Sequence, residues 1–167
     1  MQEKLRKGLD GIFMGICVFL FAFMILVGTY QIVSRYFFQR PSTVSEELLT
    51  YSFAWMALFA SSYVFGKRDH MRMGFLADKL PDGARYWLNI AVEALVFLFA
   101  VAVQFYGGVR IMRLTMSQTT ASLGIPMGVV YLAVPLSGAL TAVYALLNLV
   151  ALAGGRKKNR QEGGAKR

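Results

Sequence analysis

Histidine and cysteine each occur once in the 167 residues, and charge is missing from most of the chain. No charged residue lies between Gly11 and Ser34 or between Leu48 and Gly66. Tyr86 to Val109 carries only Glu93, and Leu114 to Gly155 carries none. Each shortage excludes a class of chemistry. A single histidine, His70, cannot supply the facing imidazole pairs of a b-type membrane haem protein. One histidine and one cysteine cannot make a close set of metal ligands. A nucleophile–base pair would have to use His70, which stands in a basic connection with no evident serine or cysteine partner. Its expected role is at the lipid interface. Cys17 has nothing to pair with, so no internal disulfide forms, and it reads as a small packing residue. The expectation is a protein that is not an enzyme and holds no cofactor and no metal.

What the chain has in abundance is apolar length. Hydrophobic residues make up 56% of it and charged residues 16%, a balance that a soluble domain of this size would not sustain over such runs. A hydrocarbon core about 30 Å thick takes roughly 20 helical residues to cross. Each of the four stretches meets that length. The fold class expected is an all-α membrane protein with four transmembrane helices. Residues 1–153 form one membrane domain, and 154–167 form a basic tail too polar and glycine-rich to fold alone. The first stretch is longer than a signal-peptide core and lacks a small-residue cleavage site, so it reads as a retained span.

The net charge of +9 raises the question of nucleic acid, but the placement of the charges answers it. Fourteen of the 18 Lys and Arg residues fall at the N-terminus, between the second and third spans, or in the tail. Arg35, Arg40, Arg110 and Arg113 are the other four. Basic residues in short flanks stay cytoplasmic, so both termini are expected inside, with no nucleic-acid partner. Part of the basic excess can meet anionic membrane lipids.

Along the chain, Pro41 breaks the first helix near Phe38. Thr43-Val44-Ser45-Glu46 fits a capping box with Thr43 as N-cap, and Glu47 adds negative charge to the positive end of the second helix. Between spans two and three, Met71, Met73, Phe75, Leu76 and Leu80 mix with Arg72, Asp78 and Lys79, which is compatible with a short amphipathic segment along the headgroups. Pro81-Asp82-Gly83 turns the chain, with Asp82 as a cap. The third helix carries Arg110 and Arg113 on one face and ends near Thr115. Ser117 to Gly124 reads as a polar loop, Pro126 as a helix start, and Pro135 as a kink. Gly154-Gly155 is expected to end the last helix.

Two groups of residues are candidates for function. Glu93 is the one acid inside a span, where ionisable groups are functional candidates by default; a packing or partner-facing role is the alternative. Gln31 and Gln104 read as helix–helix hydrogen-bonding residues, and Trp55 as a helix-packing or lipid-interface residue. On the outer side stand Arg35, Arg40, Glu46, Glu47, Arg110 and Arg113. They are either interface anchors with local pairs such as Arg35 with Glu46 or Glu47, or a docking surface for a soluble partner, where charge steers encounter and sets orientation.

Several motifs occur in a familiar order: Arg35-Tyr36-Phe37-Phe38, Pro41, Ser45-Glu46-Glu47-Leu48, Trp55, Gly66-Lys67-Arg68-Asp69-His70, Leu80-Pro81, Leu123-Gly124-Ile125-Pro126, Tyr131 and Val134-Pro135 with Gly138. Over residues 9–153 the chain resembles the small membrane subunit, DctQ/SiaQ type, of tripartite ATP-independent periplasmic (TRAP) transporters. It departs from the family pattern at Val44, often tryptophan there, and at Ala60, often glycine. The resemblance implies a four-helix protein of the bacterial or archaeal cytoplasmic membrane. Its implied partners are a large membrane subunit that holds the sodium and substrate sites and a periplasmic substrate-binding protein that delivers an organic acid. The expected function is then a scaffold that supports the large subunit and helps dock the binding protein. Two rivals are an autonomous proton-coupled four-helix transporter using Glu93 and a membrane anchor for another complex.

Overall fold

The computed structural model describes residues 2–67 and 82–164, and all four spans are helical. Helix α1 runs Gln2–Tyr36 and α2 Thr43–Lys67. Helix α3 covers Asp82–Phe99, passes into a π-helical stretch at Ala100–Gly107, and resumes as α4, Gly108–Leu114. A short α5, Met127–Tyr131, is followed by α6, Ala133–Gly164. Four segments are long and apolar enough to span a membrane: Asp10–Tyr36, Thr43–Gly66, Tyr86–Leu114 and Met127–Leu152. His70 and the expected amphipathic segment lie outside the described residues.

The spans lie side by side in a row. Helix α1 packs on α2, α2 on α6, and α6 on α3 with its π-helical continuation. The last span is the central one: 44% of its apolar window is buried inside the chain, against 0% for α1. That leaves long apolar faces open, with Phe19, Leu26, Leu95, Leu98 and Val103 all more than half exposed. In a bilayer such faces meet acyl chains or another membrane protein, because lipid is as apolar as leucine.

Polar contacts and close backbone approach hold the row together. Ser62 Oγ lies 3.1 Å from the Ser137 carbonyl and accepts from Thr141 Oγ1 at 3.0 Å, all three residues being buried. Tyr144 donates to Asp10 Oδ1 at 2.7 Å and so ties α6 to α1. Phe59 and Leu140 pack with Tyr144, and Phe13, Ile16, Cys17, Leu20 and Trp55 lean against them. Cys17 is therefore half-buried at a packing contact. Where α6 meets the third span, glycines bring the backbones together. A Cβ on Gly138 would stand 2.7 Å from the Phe105 amide nitrogen, and one on Gly108 would stand 2.9 Å from Pro135. Gln104 sits at this contact, and its side-chain oxygen is buried with no hydrogen-bond partner among the described residues. The helix–helix hydrogen bond expected of it is replaced by its Cβ packing on Gly138.

The structure corrects two local expectations, the cap of α2 and the end of α6, and adds a feature of the third span. The cap of α2 is Ser42, one residue before Thr43: the Ser45 amide and hydroxyl both donate to Ser42 Oγ, at 3.4 and 3.0 Å. Ser45 is thus the reciprocal residue three positions on, and Glu46 is left exposed. The third span is not a uniform α-helix, since its hydrogen bonds slip by one residue over Ala100–Gly107. Finally, α6 continues through Gly154-Gly155 to Gly164. Extending a formed helix fixes one residue per bond, and Arg, Lys, Gln and Glu are good helix formers. Pro135, read from sequence as a kink, lies just past an interruption of the last span. The helix is interrupted at Leu132, next to the carbonyl that proline leaves without its amide donor.

Candidate functional site

One end of the row carries the C-terminus of α1, the start of α2, and the connection from α4 to α5, and the outer candidates gather there. The α1–α2 connection is short and tightly closed. The Arg40 amide donates to the Ser34 carbonyl at 3.2 Å, while buried Ser34 donates its hydroxyl back to the Arg40 carbonyl at 2.7 Å. Closing that loop forces Gln39 to φ 50°, a conformation unusual for a residue with a Cβ. The Arg35 and Arg40 side chains stay exposed.

The second connection is a small hairpin. Thr119 pairs with Pro126, the Met127 amide donates to Gln118 O at 2.7 Å, and the Thr120 amide donates to Ile125 O at 2.9 Å. Buried Thr120 accepts the Ile125 amide on Oγ1 at 3.2 Å. Gly124 turns the tip at φ 66°, which glycine adopts without a Cβ penalty. The polar loop read from sequence is therefore an ordered turn, and Pro126 stands immediately before α5 as expected.

Glu47 joins the two connections. Its Oε1 accepts the Ser122 amide at 2.9 Å and its Oε2 the Leu123 amide at 3.0 Å. Bonds to an ionised carboxylate are shorter and about twice as strong as neutral ones, so Glu47 fixes the hairpin tip to the N-terminal part of α2. Below it, Tyr51 donates to Met127 Sδ at 3.8 Å. Trp55 Nε1 donates to Val130 O at 3.0 Å in the last turn before the proline break, with its ring edge-on to Phe59 at 5.8 Å. Trp55 thus makes a contact between α2 and α5.

Glu46 and Glu47, with Thr43, Thr50, Tyr51 and Ser122, line a shallow recess of about 250 Å³. On the third span Arg110 and Arg113 are exposed, and the Arg110 guanidinium lies 5.9 Å from the centre of the Tyr106 ring. The structure thus brings Glu46 and Glu47 together with the hairpin. It shows no ion pair, among the described residues, between Arg35 and either glutamate.

Glu93 lies toward the opposite end and is half-buried; Asn148 Nδ2 approaches its Oε2 at 3.4 Å. The carboxylate faces a buried side chain of α6, which gives it a helix-packing contact. Sequence reading did not single out Ser62, Ser137, Thr141 or Asn148, although hydroxyls and an amide inside uncharged spans are the usual signal of helix–helix hydrogen bonding. It also missed the Ser122 and Leu123 donors, which are backbone groups without a side-chain signature.

Residues 24–155 match the family model described as "Tripartite ATP-independent periplasmic transporters, DctQ component". The sialic acid TRAP transporter small permease protein SiaQ of Vibrio cholerae is 33% identical over 105 residues, which is 63% of this chain and 61% of that protein. A putative TRAP transporter small permease protein of Haemophilus influenzae is 22% identical over 135 residues, covering 81% of this chain and 83% of that protein. The sialic acid TRAP transporter permease protein SiaT of Haemophilus influenzae is 32% identical over 96 residues, 58% of this chain but only 14% of that much longer protein.

Proposed function

The chain belongs to the DctQ-component family of tripartite ATP-independent periplasmic transporters, and from that premise we propose that it is the scaffold of a sodium-driven organic-acid importer. It is a multi-pass protein of the inner membrane. In this reading its apolar faces support a large membrane subunit that carries the sodium and substrate sites. Its loop-bearing end faces the periplasm and helps to dock a soluble binding protein. Sialic acid, the cargo in the names of two relatives, is a carboxylate and falls within the proposed substrate class.

The observation that carries the reading is the row of spans. An open arrangement in which only the last helix is substantially buried offers broad faces for a second membrane protein, and the much longer SiaT contains a similar segment within one chain. The basic residues support the orientation, since fourteen of 18 fall in the N-terminus, the connection between the second and third spans, or the tail, and short flanks rich in basic residues stay cytoplasmic. The contact of Glu93 with Asn148 supports packing over proton coupling.

Uptake into proteoliposomes holding this chain, its large subunit and titrated binding protein tests the reading. A Glu93→Gln protein should retain substantial uptake, losing at most one buried polar contact, about 0.6 to 2 kcal/mol. An assembled Glu93→Gln complex with no transport would favour the autonomous proton-coupled rival. Reporter fusions at Gln39 and Ser117 should read as periplasmic, and those at Asp78 and after Arg156 as cytoplasmic; a periplasmic C-terminus would refute the orientation.

A further inference from the structure

Of the six charged residues at the hairpin end, Glu47 differs from the rest in that both of its oxygens are engaged inside the chain. They accept the amides of Ser122 and Leu123 at 2.9 and 3.0 Å, across 75 and 76 residues of sequence. The tip they hold is otherwise secured by its own stem, the pairs Thr120 with Ile125 and Gln118 with Met127. The stem fixes where the hairpin leaves the membrane helices. The carboxylate fixes which way the tip faces, because two parallel acceptors define a direction as well as a position. Ser122 also forms part of the wall of the recess that holds Glu46 and Thr50.

We propose that Glu47 is a positioning residue: through the Ser122 and Leu123 amides it sets the orientation of the 118–127 hairpin, and the hairpin tip so held is the part of this end that the soluble binding protein meets. The inference rests on the docking role proposed above and assigns that role to a backbone turn beside the arginines. The partner surface it fits is polar and shallow. The tip presents exposed Ala121 and Gly124, which offer mostly main chain, while Ser122 and Leu123 between them are half-buried.

The test uses the complete complex in proteoliposomes with binding protein titrated in. Glu47→Gln leaves one acceptor and turns an amide NH2 toward a backbone N–H donor. It should raise the half-saturating concentration of binding protein about tenfold, the equivalent of about 1.4 kcal/mol, while maximal uptake stays unchanged. Hydrogen exchange at Ser122 and Leu123 should quicken in the same variant. Gly124→Ala strains the tip at φ 66° with open space around its Cβ; it should shift the same concentration in the same direction and serves if Glu47→Gln fails to assemble. Unchanged exchange would overturn the proposal, as would a fall in maximal uptake at constant half-saturation. If Arg110→Glu and Arg113→Glu raise the half-saturation while Glu47→Gln and Gly124→Ala do not, the docking role stands and the hairpin assignment falls. If all four are silent, the docking role itself is wrong.

Discussion

Adding one methyl group should have opposite effects at different glycines of this chain, and the structure sets the sign. At Gly138 a new Cβ would lie 2.7 Å from Gln104 Cβ and 2.7 Å from the Phe105 nitrogen. Carbon atoms in contact sit about 3.5–4.0 Å apart, so α6 and the third span would have to separate by roughly 1 Å. The obstacle is backbone, which cannot swing aside as a long side chain would. Overpacking of this kind costs about 1–3 kcal/mol, offset by about 1 kcal/mol or less from replacing glycine within a helix. Gly138→Ala should therefore destabilise the isolated chain by about 1–2 kcal/mol. Gly66→Ala should behave alike, since its Cβ would meet three atoms of the buried Tyr144 ring at 2.6–2.9 Å. At Gly11 and Gly15 nothing lies within 4 Å of a Cβ, so Gly11→Ala and Gly15→Ala should be neutral or stabilising by up to about 1 kcal/mol. Equilibrium unfolding in bicelles, followed by tryptophan fluorescence, reads all four variants under one condition. Effects of equal size and sign at Gly138 and Gly11 would refute the reasoning, because helix propensity alone would then account for both.

Two further outcomes follow from the same structure. Trp55→Phe keeps a ring against Phe59 but deletes the 3.0 Å bond to the Val130 carbonyl, and should cost about 1 kcal/mol in the same unfolding assay; no loss would mean that bond contributes nothing. Gln39→Gly relieves a side chain held at φ 50° and should raise the unfolding midpoint by an amount worth up to about 1 kcal/mol. A lower midpoint would show that the Gln39 side chain matters more than its backbone.

The four spans and their order were legible because a helix of that length in water would need charge along its outer face, and these runs carry almost none. Local detail was less so, for identifiable reasons. Ser42 and Thr43 both offer a capping hydroxyl, and only backbone geometry decides between them. Ala100-Val101-Ala102-Val103 reads like any apolar helix, and the shift in its bonding belongs to a region packed against Pro135 and Gly138 of a distant span. Glu47 was legible as a charge near a helix start, a role that needs only its own helix. Its actual partners are amides 75 and 76 residues away, and main-chain donors leave no trace in composition. Gln104 was expected to bridge helices through its amide, yet glycine at position 138 brings the backbones so close that its Cβ makes the contact.

The row of helices also divides into two halves. Sequence neighbours lie together: α1 lies against α2 across a short connection, and the third span lies against α6 across the hairpin. Each pair is a helical hairpin that can enter a bilayer with its own backbone bonds complete. What joins the halves is a seam of specific polar contacts, Glu47 to the hairpin tip, Trp55 to Val130, Ser62 to Ser137 and Thr141, and Asp10 to Tyr144. The molecule is in that sense a heterodimer of two hairpins written on one chain. A break in the peptide between residues 67 and 82 would sever none of these contacts, so two separately made halves carry between them every group of the seam found among the described residues.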